Sequence, residues 1–163
     1  RNKKMRPTQG LVRAAVFNIV GERIHGARVG DFFSGGGSLG IEALSRGARS
    51  VVFIEKDPVA LRFLKRNLNA LSAAAEIRRG DVVKMIPKLS GEQFDIVLLD
   101  PPYDTGLAQA AIDRLAACGR IASGGFVVVE HSRRELIVPS AGLMLDRERV
   151  YGDTIVSILR RAE

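Results

Sequence analysis

Four short apolar runs, VGDFF at residues 29–33, VVFI at 51–54, IVLL at 96–99 and FVVV at 126–129, are rich in β-branched or aromatic residues and are separated by stretches with helical rhythm. Runs of this length and composition suit strands buried on both faces, and strands that alternate with helices predict parallel pairing, because a parallel connection must be long enough to hold a crossover helix. The clearest helix spans residues 57–71. There Asp57 can cap, Pro58 suits the first turn, and Leu61, Leu64, Leu68 and Leu71 form one apolar stripe. Its other face carries Arg62, Lys65, Arg66 and Asn69, which reads as a solvated surface or, less economically, as an RNA contact. A weaker strand at 75–79, helices near 82–88 and 106–117, and an amphipathic helix at 10–22 built on Val12, Val16, Ile19 and Val20 complete the series. The end differs. Residues 143–151 and 154–159 are two strand-like runs joined by Gly152-Asp153, with no helix between them, and predict an antiparallel hairpin.

The expected fold class is therefore α/β: a mostly parallel, Rossmann-like sheet closed by a C-terminal antiparallel hairpin. A chain of 163 residues with 46% apolar content fits one domain, 1–163, with no low-complexity linker to divide it. No apolar run reaches bilayer length and no basic-then-apolar leader opens the sequence, so a soluble, cytoplasmic protein with no membrane partner is expected. The single cysteine, Cys118, has no disulfide partner, and His25 and His131 are far apart in sequence, so no metal site is expected. A net charge of +7, with Arg1, Lys3, Lys4 and Arg6 at the start, favours an anionic partner such as nucleic acid.

In an open parallel sheet, ligands collect beyond the carboxyl ends of the strands. Asp31 and the turn SGGGSLG lie at the end of the first run, Glu55 ends the second, Asp81 follows the third strand and Asp100 ends the fourth. Gly35, Gly37 and Gly40 match the G-x-G-x-x-G spacing of a dinucleotide site, and Glu55, about twenty residues on, would suit a ribose diol. A row of carboxylates nevertheless repels a pyrophosphate. A ligand with a sulfonium, a free ammonium, a ribose and an adenine amino group would instead find acceptors there, and S-adenosylmethionine has all four.

The stretch LLDPPYD, residues 98–104, has no natural duty in hydride transfer. An exocyclic base amine is a poor nucleophile because its lone pair is delocalised into the ring. Two acceptors, the Asp100 carboxylate and the Pro101 carbonyl, can hold its two hydrogens and turn the lone pair toward a methyl group. Prolines 101 and 102 restrict the backbone there, and Tyr103 offers a face on which an extruded base can stack.

The order and spacing of RPTQGLVRAAVFNIV, DFFSGGGSLGIEALSRGA, VVFIEKD, GDV, FDIVLLDPPYD and YGDTIVSIL resemble the RsmD family over nearly the whole chain. The resemblance implies a Rossmann-like, S-adenosylmethionine-dependent enzyme that methylates the N2 amine of a guanine in bacterial small-subunit ribosomal RNA, with that RNA or a small-subunit assembly particle as partner. By position it assigns Asp31, Ser34, Gly35 and Gly37 to the methionine portion, Glu55 to the ribose, and Asp81 and Val82 to the adenine, with Lys56 also among the cofactor-binding residues. It assigns Asp100, Pro101, Pro102 and Tyr103 to the target amine. Residues 1–22, with Arg6, Pro7 and Thr8, correspond to the family's basic N-terminal segment and helix, which cover the cofactor. Gly10 and Ala14 depart from frequent acidic residues, and Gly36 from a frequent serine.

Three other functions share parts of this pattern. An adenine-N6 or cytosine-N4 DNA methyltransferase would use the same D-P-P-Y, although no target-recognition domain is visible. An NAD-dependent oxidoreductase would use the glycines and Glu55 but lacks a hydride-site acid or base. A non-catalytic RNA-binding module would have no need of Asp100, Pro101 and Tyr103.

Overall fold

The computed structural model describes residues 9–69, 71, 74–89 and 91–163. Twelve regular elements follow one another as α1 (Gln9–Val20), β1 (Arg28–Phe32), α2 (Ser38–Ser45), β2 (Ser50–Glu55), α3 (Pro58–Asn69), β3 (Ala75–Arg79), α4 (Val82–Met85), β4 (Phe94–Leu99), α5 (Leu107–Ala117), β5 (Ile121–Ser132), β6 (Leu143–Tyr151) and β7 (Thr154–Arg161). Short 3-10 turns extend α1 through Ile24 and α4 through Lys88.

The seven strands form one sheet in the order β3-β2-β1-β4-β5-β7-β6. Pairs from β3 to β5 are parallel, and β7 runs antiparallel between β5 and β6. The expected parallel sheet and closing hairpin are both present. The hairpin, however, adds its second strand next to β5 and leaves its first at the edge. That choice follows burial: in β7, Val156, Ile158 and Leu159 are buried, whereas most of β6 is exposed.

Two apolar layers flank the sheet. One holds Phe32, Ile54, Phe94, Val97 and Leu99 against α4 and α5. The other holds Val29, Phe53, Ile96 and Leu98 against α1 and α3, through Val12, Val16, Phe17, Leu61 and Leu64. Alternate residues of each central strand enter opposite layers, which is why these runs carry no polar face.

Strand order reverses at β1, with β2 on one side and β4 on the other. The loops after β1 and β4 part at that point and open a crevice along the carboxyl edge.

Candidate active site

The crevice holds a cavity of about 330 Å³. The β4–α5 connection contributes Asp100, Pro101, Pro102 and Tyr103, so all four residues assigned to the target lie on one wall. Glu55, Lys56, Asp81 and Val82 line it from the ends of β2 and β3. Thr8, with Arg6 and Pro7, lies outside the described residues.

Asp31 and the glycines take different positions from these lining groups. Asp31 is 1% exposed beneath the loop, and its Oδ2 accepts the Gly40 N–H at 2.9 Å. Burial pushes its carboxyl well above the usual carboxylate range. The Gly40 N–H works against that rise, while Asp100 and Glu55 add to it. Those two influences also show that three strand-end carboxylates share one neighbourhood.

Gly37 is left-handed, with φ of 85°, and a Cβ there would stand 2.4 Å from Leu64 Cδ1. At Gly40 the same atom would meet Phe53 Cε1 at 2.4 Å. Both positions exist so that the loop can settle on the core. Only at Gly35, with φ of 55°, does the missing side chain face open space. The glycine spacing thus reports mainly loop–core packing, which the same sequence pattern cannot distinguish from ligand approach.

Glu55 pins this loop. Its Oε2 accepts Gly35 N–H at 2.8 Å, and its Oε1 accepts Lys56 and Asp57 N–H at 2.8 and 2.9 Å. Oε1 thus takes two N–H groups and Oε2 only one, so Oε2 retains acceptor capacity toward the cavity that Glu55 lines. Asp81 caps α4 by accepting Lys84 N–H at 3.1 Å and still lines the cavity. Ser34 Oγ is buried without a hydrogen-bond partner among the described residues. Phe33, whose φ of 61° is unusual for a bulky residue, bends the chain out of β1 and lines the cavity with its side chain.

Tyr103 is anchored by residues that the sequence reading omitted. Its hydroxyl donates to Glu130 Oε1 at 3.1 Å and stands 2.8 Å from Thr154 Oγ1. Burial, chiefly, keeps the phenol protonated well above its ordinary range. The Thr154 contact opposes that rise, and the Glu130 and Asp100 charges reinforce it. Glu130 directly follows an apolar run, as Glu55 and Asp100 do, so strand-end position was an available signal. Thr154 had none, because it reaches the site only through the β5–β7 pairing. Arg13, on the polar face of α1, also lines the cavity.

The cavity's acidic and basic lining consists of four carboxylates, Glu55, Asp81, Asp100 and Glu130, against Arg13 and Lys56. In a chain of net charge +7, this is a local reversal of sign. It favours a cationic ligand and disfavours a pyrophosphate. No group of residues able to hold a metal ion occurs among the described residues. No described helix is long and apolar enough to cross a membrane.

With this geometry in hand, comparison with known proteins becomes specific. The family profile described as "Conserved hypothetical protein 95" matches residues 1–160. This chain belongs to that family, the RsmD family. It is 34% identical over 160 residues to Ribosomal RNA small subunit methyltransferase D of Escherichia coli, covering 96% of this chain and 80% of that protein. It is 33% identical over 161 residues to a Bacillus subtilis protein, YlbH, named as a candidate rRNA methyltransferase, covering 96% and 88%. A solved Escherichia coli structure, described as a candidate methyltransferase, yhhF, superposes with a TM-score of 0.88 at 31% identity, covering 98% of this chain and 89% of the other. The RsmD-family sheet described above is the Rossmann-like methyltransferase fold.

Proposed function

We propose that this RsmD-family chain is an S-adenosylmethionine-dependent methyltransferase acting on the exocyclic N2 amine of a guanine in bacterial small-subunit ribosomal RNA. The carrying observation is the acidic cavity that brings Asp100, Pro101 and Tyr103 together with Glu55 and Asp81. The family relatives named for rRNA methylation supply the substrate class. The domain reading that accompanies this is a single unit, 1–163, with the N-terminal segment and α1 covering the cofactor.

The chemistry of the cavity fits the methyl donor. Glu55 Oε2 offers an acceptor for a ribose hydroxyl and Asp81 for an adenine amine, and the missing side chain of Gly35, whose N–H Glu55 holds, leaves open space beside that carboxylate. Asp31 would act from beneath the glycine loop by holding Gly40 in place. When bound, S-adenosylmethionine supplies an electrophilic methyl group on a sulfonium, so the chain must only orient and stabilise the nucleophile.

Asp100 and the Pro101 carbonyl would each take one hydrogen of the guanine N2 amine and turn its lone pair out of conjugation. As nitrogen becomes cationic, the Asp100 charge stabilises it, and the proton leaves afterwards to Asp100 or water. Tyr103 offers its ring to the extruded base, held in one orientation by Glu130 and Thr154.

The test is labelled methyl transfer into small-subunit ribosomal RNA or particles from cells lacking the activity, followed by mapping of the modified base. Asp100→Asn should lower the single-turnover rate on the order of 10²–10³-fold, as when one charge-stabilising group is removed from a transition state. S-adenosylmethionine binding should persist. Near-normal transfer by a folded Asp100→Asn protein, or methylation of adenine or cytosine instead, would overturn the assignment.

A further inference from the structure

A second concavity, of about 450 Å³, lies between α3 and the outer strand β3. Its lining combines the apolar Pro58, Leu61 and Ile77, of which Leu61 and Ile77 are the more buried, with the exposed cations Arg62, Lys65 and Arg79. The three cations come together for simple reasons. Arg62 and Lys65 are three residues apart and share a helix face, while Arg79 shares a strand face with Ile77 two residues earlier.

All three cations are exposed, and none forms an ion pair among the described residues. Nearby acids are engaged elsewhere: Glu76 bonds Arg78, and Asp57 caps α3 at Val59 and Ala60. Charge on an edge strand commonly guards against strand addition, a role the paired Glu76 and Arg78 already serve. An unbalanced cluster of three around an apolar lining is different. It is complementary to a phosphate backbone with a base or sugar laid on Leu61 and Ile77.

Position strengthens the case. Arg79 is the last residue of β3, and the next two, Gly80 and Asp81, line the acidic cavity. The groove therefore opens at the same edge of the sheet. From β3 to β4, which carries Asp100, there are three strand intervals, roughly 14 Å at the usual spacing, a span of a few nucleotides.

We infer that this groove is a docking site for the substrate RNA strand, in which Arg62, Lys65 and Arg79 hold backbone phosphates flanking the target nucleotide. This rests on the RNA-methyltransferase reading. The cationic groove supplies affinity while the acidic cavity admits only the neutral base and the cationic methyl donor.

The experiment measures binding of a small-subunit ribosomal RNA fragment by fluorescence anisotropy across a salt titration, with methyl transfer measured in parallel. It compares wild type, Arg62→Glu, Arg79→Glu, Lys65→Gln and, as a charge-matched control on α5, Arg114→Glu. Each lost phosphate contact should make the log–log salt slope shallower by about 0.7, which weakens affinity at 0.1 M salt by about fivefold when the lines meet near 1 M. KM for RNA should rise with little change in kcat, and S-adenosylmethionine binding and thermal midpoint should stay near wild type. An Arg114→Glu effect as large as that of Arg62→Glu would show that only net charge matters and would overturn the groove. So would unchanged slopes in Arg62→Glu and Arg79→Glu, or equal loss with free inorganic phosphate as competitor in all variants. Site-specific loss of RNA binding without any wild-type methyl transfer would uphold the groove and defeat the reaction, whereas transfer unaffected by groove variants would do the reverse.

Discussion

Replacing Gly37 by alanine tests what the glycine loop is for. Its φ of 85° places an alanine in the left-handed region, at a cost of about 1–2 kcal/mol. The new Cβ would stand 2.4 Å from Leu64 Cδ1, 3.3 Å from Phe53 Cε1 and 3.4 Å from Ile41 Cδ1. Leu64 and Phe53 are fully buried, so Leu64 has little room to retreat, and overpacking of this kind costs about 1–3 kcal/mol. The lost entropy of the unfolded glycine returns about 0.4–1 kcal/mol. The net expectation is a destabilisation of about 1–4.6 kcal/mol, or several degrees in Tm for a chain of this size. Gly35→Ala is the internal control: it has the same backbone sign and no atom within 4 Å of the new Cβ, so only about 0–1.5 kcal/mol should be lost. Urea unfolding of both variants, and of Gly37→Ala combined with Leu64→Ala, measures the packing contribution directly. Truncating Leu64 should relieve part of the Gly37→Ala penalty, giving strong non-additivity. A Gly37→Ala cost no greater than that of Gly35→Ala, or strict additivity with Leu64→Ala, would refute the view that the loop's glycines serve core packing.

Asp31→Asn should change how stability depends on pH. Because burial raises the folded-state pKa of Asp31, its contribution is full below its unfolded pKa, about 3.9, and is lost as pH rises through the folded value. The asparagine does not titrate and can still accept the Gly40 N–H, so its stability relative to wild type should grow from acid to neutral pH; a constant difference across that range would contradict the buried-carboxylate account. Glu55→Ala removes the acceptor for three backbone N–H groups as well as for a ribose, and calorimetry should find S-adenosylmethionine binding weaker by about 1.5–3 kcal/mol; unchanged affinity in a folded variant would remove Glu55 from the cofactor site. Tyr103→Phe keeps the ring but loses the contacts to Glu130 and Thr154, so single-turnover methylation should slow by about 1–3 kcal/mol of barrier, and less than in Tyr103→Leu, which also loses the stacking face. Equal rates for the two variants would show that the ring does not stack on the base.

Several features of the fold and site are visible in local sequence. The runs at 51–54 and 96–99 read as strands because burial on both faces removes polar residues, and Asp57-Pro58 opens a helix because capping and proline geometry act within one turn. That Glu55, Asp81 and Asp100 line one cavity is legible in the sequence because a strand end followed by a turn places them on one edge of any parallel sheet. The D-P-P-Y wall was legible for the same reason.

Tertiary structure decided what depends on pairing between distant segments. The insertion of β7 between β5 and β6 brings Thr154 within reach of Tyr103, 51 residues earlier, and no local pattern encodes that strand order. The burial of Asp31 and the use of Gly37 against Leu64 arise from how the loop settles on two packed strands and a helix, so the glycine spacing alone could not separate packing from ligand approach. Likewise, Arg62 and Lys65 look like an ordinary solvated face until β3 sets Arg79 opposite them. Hydrophobic period and turn chemistry are properties of neighbouring residues, whereas the charge and shape of a cavity come from segments that meet only after the sheet has chosen its order.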